Sequence, residues 1–592
     1  MGLDVWALTG IAAVAVLTFG LGAWGARRAR TTSDFLVAGR VVSARTNAAA
    51  IAGEYLSAAS FLGVAGLVMR DGADALWYPV GFTAGYLALL LFVAAPLRRS
   101  GAYTLPDFAE ARLGSVGLRR LATIFVALIG WLYLVPQLQG AGLTLSTVTH
   151  LPPWSGALLV AGLVVVNILF GGMRAVTLVQ AVQYWIKLTA IGLPAFFLCL
   201  AFLGDRAPAQ PALTDPLPPV FTTDTTVEVR TSVLLTVAEP VRLEARGRVN
   251  RQAANGPVYW GPGTQEVTAG TQLRFPAGAP VPVVIGSPPD NASWLRPLYG
   301  DEWPLFRTYS LIFATFLGTM GLPHVLVRFY TNPDGRQARQ TTLFVLVLLG
   351  LFYLFPTIIG ALSRLYVPKL LVTGTTDAAV LLLPTAVLDN CFGRLLAALT
   401  TAGAFAAFLS TSAGLVMSVA GVLSTDVLRG RVRDIRVGTV IAGLVPLTAT
   451  VIAGSLDVSQ SVGLAFATAA STFCPLLVLG IWWRGLTAPG AAVGLVVGGG
   501  LALFSTVATV VAATDGGWAG PLLTQPAAVT VPAAFLTMVV VSKITRRRVP
   551  PDVSRTMLRM HAPDRLGFGQ DRDVPRGDVA ERARIAEGRG AR

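Results

Sequence analysis

Long, continuous apolar windows separated by short arginine-bearing joints make up most of this chain. A window of roughly 18 or more apolar residues is long enough to cross about 30 Å of hydrocarbon as a helix. Inside lipid every backbone polar group needs an internal partner, so only helices and closed barrels span. The windows here are continuous and do not alternate, which selects helices. Thirteen spans are predicted, near residues 4–25, 47–69, 76–97, 119–148, 155–171, 176–203, 307–330, 340–363, 392–426, 437–455, 460–483, 487–513 and 526–543. The ninth is long enough to tilt or to run past the bilayer. Two stretches break the pattern. Residues 204–306 are polar and Pro-rich, with Thr/Val alternation such as Thr225-Thr226-Val227-Glu228-Val229-Arg230, and read as a small β-rich insert or an irregular loop. The tail from about 544 is rich in Arg, Asp, Glu, Pro and Gly and reads as disordered.

Composition sharpens this picture. The 592 residues are 54% hydrophobic and only 13% charged, against about 25% in soluble chains. The net charge of +15 does not point to nucleic acid. All but three basic residues are Arg, the lysines being Lys187, Lys369 and Lys543, and they gather in short loops and the C-terminal tail. With the N-terminus outside, alternate loops carry Arg27, Arg28 and Arg30, then Arg98, Arg99, Arg119 and Arg120, then Arg174, then Arg328, Arg336 and Arg339, then Arg429 to Arg436. That is the positive-inside pattern. It predicts a multi-pass protein of a bacterial inner membrane, with the C-terminus in the cytoplasm and the 204–306 insert extracellular. Arg far outnumbers Lys, as high-GC bacterial genomes favour. Cys199, Cys391 and Cys474 are an odd set in or beside apolar windows and read as packing residues. No nucleotide-binding loop is present.

Charged groups at membrane depth are costly and usually functional. Glu54 lies in the second span, within Ala52-Gly53-Glu54-Tyr55-Leu56-Ser57-Ala58-Ala59-Ser60. Lys187 lies eleven residues into the sixth, about 16 Å along a helix. Two readings stand for the pair: a salt bridge that holds helices, or groups that sense the coupling ion or the substrate charge. Adjacent Ser410 and Thr411 in the ninth span offer hydroxyl oxygens to a hard cation, and a helix break near Gly53 and Gly63 would add carbonyls. Helix packing is the competing use of such small residues.

These residues resemble the solute:sodium symporter family, and within it the cation/acetate branch. Five stretches carry the resemblance: Ser33 to Arg40, the lead-in to the first core helix; Ile51 to Gly63, that helix; Gly171-Gly172-Met173-Arg174-Ala175-Val176, the Gly-Gly signature of the fifth; Gly318 to Tyr330, which looks like the acetate branch in particular; and Phe408 to Asp426, the eighth. They occur in order over about residues 30–545. The resemblance implies an all-α polytopic protein with a 5+5 inverted-repeat, LeuT-type core around a midplane site. The parts would be a first helix and loop (1–46), a first repeat (47–203), the insert (204–306), a second repeat (307–485), two peripheral helices (486–543) and the tail (544–592). It also implies a sodium site at Gly53, Leu56, Ala407, Ser410 and Thr411. Where many sugar-transporting members carry an Asp linked to a second cation, Gln180 stands here.

The expected function follows from that resemblance. It is symport of acetate or a similar small organic anion with a cation, by alternating access in the bilayer. Ser410 and Thr411 favour Na+ as the coupling ion, while Glu54 makes H+ the alternative. No other cofactor and no enzymatic step are implied. Substrate-lining candidates are Tyr55, Ser57, Ser60, Gln137, Gln139, Thr315 and Thr319, each with helix packing as the competing role. His324 and Arg328, one turn apart in the acetate-like motif, are gate or packing candidates. Pyruvate, lactate or propionate are the next substrates, with proline or a sugar behind them. A transporter-like sensor would need a signalling domain larger than the tail.

Overall fold

The computed structural model describes residues 5–26, 38, 42–149, 151–204, 213–300, 303–428, 432–452, 458–514 and 520–566. The lead-in stretch Ser33 to Arg40 lies outside them except for Ala38, as do Arg27, Arg28, Arg30 and the tail beyond 566. The helices are α1 (Val5–Ala26), α2 (Ala44–Tyr55), α3 (Val64–Asp71), α4 (Trp77–Ala88), α5 (Ala94–Arg99), α6 (Leu105–Leu113), α7 (Val116–Thr149), α8 (Pro153–Gly204), α9 (Pro304–Gly321), α10 (Pro323–Val327), α11 (Gly335–Tyr366), α12 (Ala379–Val387), α13 (Cys391–Val422), α14 (Val432–Ile452), α15 (Val458–Trp482), α16 (Ala488–Thr514), α17 (Ala527–Ile544) and α18 (Val553–His561). Among the described residues, ten helical segments are long and apolar enough to cross a membrane. Pro153–Gly204 holds two of the predicted spans, and Ala59–Arg99 holds one and the end of another.

Glycines with positive φ mark the turns inside both. Gly72 ends α3 at φ 61°. Gly172 kinks α8 at φ 58°, ψ −167°, a backbone region that is essentially closed to any residue with a Cβ. The Gly-Gly signature is therefore a hinge between two helices. α13 packs on α1, α7, α8 and α14 and is buried along nearly its whole length, which its small residues permit. Helices at the rim turn large side chains outward, Phe170, Phe504 and Leu536 among them. In lipid these are solvated as Leu is by hydrocarbon.

The first core helix is interrupted. α2 begins at Ser43, whose side chain accepts from the Thr46 N–H, and ends at Leu56, where ψ turns to 84°. The chain re-enters helix through a π turn at Ala59–Gly63 and continues as α3. The unwound residues are thus 56 and 57, between Gly53 and Gly63 and at neither of them. Gly53 has a different use: a Cβ there would strike the Gln180 carbonyl of α8.

Between α8 and α9 lies a seven-stranded sheet, β1 (Thr225–Val229), β2 (Val233–Val237), β3 (Val241–Val249), β4 (Gln252–Trp260), β5 (Gly263–Val267), β6 (Thr271–Phe275) and β7 (Val283–Val284). Its order is β1-β6-β3-β5-β2-β7, with β4 on β3, and the pairings are antiparallel. Alternate residues of β3 and β6 are buried, the pattern of a sheet with one covered face. The sheet is fixed to the bundle. Trp294 Nε1 donates to Val68 O at 2.8 Å, and the Arg364 guanidinium lies 5.2 Å from that indole and donates to Asn291 Oδ1 at 2.9 Å. Asp74 accepts from the Leu298 and Tyr299 N–H groups at 2.7 and 2.9 Å. A cavity of about 570 Å³ lies between sheet and helices, lined by Arg70, Asp71, Tyr78, Ser287, Arg307 and Ser459 among others.

The tail corrects the sequence reading. Residues 544–566 are ordered: α18 buries Met557 and Met560, and Asp564 accepts from Arg99 Nε and Nη2 at 3.0 Å each. Burial raises the Asp564 pKa, but the Arg99 hydrogen bonds and charge outweigh it and hold it below the usual carboxylate value. A nine-residue amphipathic helix is too short and too polar to register as an apolar window, which is why the composition suggested disorder. The hinge is open to a direct check. Gly172→Ala should cost about 1–3 kcal/mol, read as a lower unfolding temperature of the purified protein in detergent. Gly162→Ala, where a Cβ meets nothing within 4 Å, should leave it unchanged.

Candidate functional site

The break in the first core helix strands backbone groups in a dry interior, where an unpaired carbonyl or N–H is costly. Each side of the break is answered by a different helix. On the carbonyl side the partner is Lys187 of α8. Its buried Nζ donates to Gly53 O, to Leu56 O at 2.7 Å and to Ser410 Oγ of α13 at 2.8 Å. Ser410 Oγ in turn donates to Gly53 O at 2.7 Å and to Ala407 O at 3.1 Å, and Thr411 Oγ1 donates to Glu54 O. All five residues of the expected sodium site therefore do come together. Three of their oxygens are gathered by an ammonium.

On the N–H side the partner is Gln137 of α7, whose Oε1 accepts from the Ala58 N–H at 2.9 Å. The Gln137 amide nitrogen is buried and has no protein partner among the described residues. Aromatic rings close around this point. Tyr55 meets Phe82, Tyr86 and Phe466 edge-on at 6.0, 4.8 and 6.2 Å, and Tyr133 meets Phe466 at 5.7 Å and His324 at 5.3 Å.

The remaining predicted residues divide. Tyr55 Oη hydrogen-bonds Thr319 Oγ1 at 2.7 Å, and Ser60 Oγ hydrogen-bonds Tyr353 Oη at 2.9 Å. Ser57 is buried, and its hydroxyl has no protein partner among the described residues. Thr315 is instead a packing residue: its hydroxyl donates back to Leu311 O at 2.8 Å, and the flat surface of Gly81 lies against it. Gln139 lies two positions beyond Gln137, about 200° around α7, and is not brought to the break. Tyr86, Tyr353 and Phe466 were missed by the sequence reading, because apolar helices carry many aromatics and nothing local distinguishes these three.

Glu54 and Lys187 do not pair as a bridge. Glu54 Oε2 accepts from Arg328 Nε at 2.6 Å, both side chains being fully buried. Arg328 also donates to Thr177 Oγ1 at 2.7 Å, to Met173 Sδ and to Gln180 Oε1. The Gln180 amide then donates to Ser410 O at 2.7 Å. Gln180, marked in the sequence only as a departure from Asp, thus links the Arg328 cluster to the Lys187 cluster. A second layer lies beyond Arg328. Asn47 donates to Arg328 O and to Asn332 Oδ1, and Arg98 donates to Asn332 O and Pro333 O. Past these, Arg119 pairs with Asp426 and Glu110 at 2.5 and 2.6 Å. The face opposite the β-sheet is therefore latched, and the cavity lies on the sheet side.

A buried pair is far more sensitive to the loss of one partner than of both. Arg328→Met should cost about 3–5 kcal/mol, because it leaves the Glu54 carboxylate uncompensated. The double variant Glu54→Leu/Arg328→Met should lose less than Arg328→Met alone, measured by detergent unfolding of all three.

Comparison with known proteins agrees with this geometry. The profile of the sodium:solute symporter family matches residues 35–210 and 303–498, two stretches that flank the β-sheet. An uncharacterized symporter, YwcA of Bacillus subtilis, is 29% identical over 497 residues, 82% of this chain and 83% of its own. A monocarboxylic acid transporter of Corynebacterium glutamicum is 28% identical over 530 residues, 85% of each chain. A Na+-coupled sialic acid symporter, solved substrate-bound and outward-open, superposes with a TM-score of 0.59 at 14% identity, over 91% of this chain and 98% of that one. The fold is that of the LeuT-type transporters, and the chain belongs to the sodium:solute symporter family.

Proposed function

We propose that this protein takes up acetate or a similar short monocarboxylate together with an inward-moving cation, by alternating access. The observation that carries this reading is the buried break at residues 56 and 57. It turns the start of a half-helix, with its positive dipole end, into a polar spot inside a buried aromatic shell. A carboxylate suits that spot, since the Gln137 amide nitrogen, held there by the Ala58 N–H on its oxygen, is a donor without a protein partner among the described residues, and nothing there need be deprotonated. The close packing of Tyr55, Phe82, Tyr86, Tyr133 and Phe466 favours a substrate with a short apolar tail over a sugar. The monocarboxylic acid transporter among the relatives supports the same substrate class.

Transport then follows from the two faces. Substrate enters from the sheet side, which the charge pattern places outside. Binding at the break orders Gln137 and the aromatic shell. The layers at Arg328, Asn332 and Arg119 open only afterwards, so substrate and cation cross together. No covalent bond changes.

Labelled acetate, propionate, pyruvate and proline should be compared in proteoliposomes under imposed ion gradients. Concentrative uptake of acetate or another short monocarboxylate is expected, with proline excluded. Gln137→Ala should raise KM roughly tenfold, equivalent to about 1.4 kcal/mol for one lost buried hydrogen bond. Concentrative proline uptake with no monocarboxylate uptake would overturn the assignment.

A further inference from the structure

At the cation position between α2 and α13, the oxygens that a free sodium ion would use are already taken. An ammonium carries three N–H donors and no acceptor. The Lys187 ammonium uses all three, on Gly53 O, Leu56 O and Ser410 Oγ. Those are two carbonyls of the broken helix and one hydroxyl of α13, the same oxygen types a hard cation would take. The remaining hydroxyl, Thr411 Oγ1, is spent on Glu54 O. A sodium ion placed among these atoms would have to displace the ammonium or share oxygens with it.

Charge tells the same way. Glu54 is the acidic side chain facing this region, and it is already paired with Arg328. From α8 itself come only the neutral Gln180, Gln183 and Tyr184, from α7 Tyr133, and from α11 Tyr353. With Lys187 charged, the cluster of Glu54, Arg328 and Lys187 already carries one net positive charge in a fully buried region. A mobile cation would raise that to two, and among the described residues no further carboxylate faces it. Lys187 also bridges three helices, since it reaches from α8 to both the end of α2 and the middle of α13. That is the joint a bound ion would otherwise have to make.

We infer that the Lys187 ammonium is the resident cation of this site, tethered by its side chain, so that this symporter works without sodium. The inference rests on the symport reading above and specifies its ion dependence. Its consequence is that the joint between the broken helix and α13 is permanent chemistry of the chain and does not wait for an ion from outside.

The test uses the full-length protein and reads sodium binding separately from transport. Binding of labelled sodium and the sodium-induced rise in unfolding temperature are measured in detergent, with choline as the control cation. Uptake of the accepted monocarboxylate is measured in proteoliposomes with sodium or choline outside. The wild type should show no saturable sodium binding and the same uptake rate in either salt. Lys187→Ala, which empties the position but keeps the oxygens, should gain saturable sodium binding. Lys187→Thr is the second variant should the alanine protein fail to fold. Saturable sodium binding by the wild type, with uptake lost in choline, would overturn the inference. So would a folded Lys187→Ala or Lys187→Thr protein that binds no sodium. If no monocarboxylate is transported at all, the functional assignment fails, yet the binding arm still decides whether Lys187 holds the site.

Discussion

Unwinding a helix inside hydrocarbon is tolerable only if something else satisfies the backbone it releases. Here one side chain does most of that work. The Lys187 ammonium holds two of the freed carbonyls and ties them to Ser410, so the broken helix, the kinked α8 and the buried α13 meet at a single nitrogen. The other arrangements follow from this joint. Gly53 must be bare because α8 approaches close enough for Lys187 to reach, and Gly414 must be bare because the Glu54 carboxylate packs against it. The Gly172 hinge sets the direction from which α8 arrives.

Around the joint, polarity is arranged in layers. The N–H side of the break faces Gln137 and aromatic rings, and is the part suited to a small anion. Half a turn away the Glu54–Arg328 pair is held by Thr177 and Gln180, and Gln180 reaches back to Ser410. A movement that opened the latched face would have to part α2 from the Arg328 segment, and the same hydrogen bonds would carry that strain to the cation position. Substrate site, buried ion pair and latch are thus contiguous, which is what coupling between a site and a gate requires.

Much of this was legible in the sequence, for identifiable reasons. Apolar windows gave the helices because lipid imposes a length. The Gly-Gly signature marked the boundary between two spans, and the structure has a kink there at Gly172, φ 58° and ψ −167°, a conformation essentially confined to glycine. Glu54 and Lys187 stood out because charge is rare at membrane depth. Gly53, Leu56, Ser410 and Arg328 were each named as candidates too, but who pairs with whom was not legible, because Lys187 lies 131, 134 and 223 residues from the groups it holds and no local pattern encodes such pairings. The break was sought near Gly53 and Gly63 and falls between them at Leu56 and Ser57, where tertiary hydrogen bonds and not residue type permit it. α18 was hidden by its polar face, and Thr315 looked available until Gly81 was seen packed against it.

The most direct test of the account is an electron cryomicroscopy structure of the full chain with acetate, prepared once in sodium and once in choline. The account predicts the same arrangement in both, with Lys187 Nζ on Gly53 O, Leu56 O and Ser410 Oγ and the acetate carboxylate beside the Ala58 N–H and Gln137. Density for an ion between Gly53 and Ser410 in sodium alone, with Lys187 turned away, would contradict it.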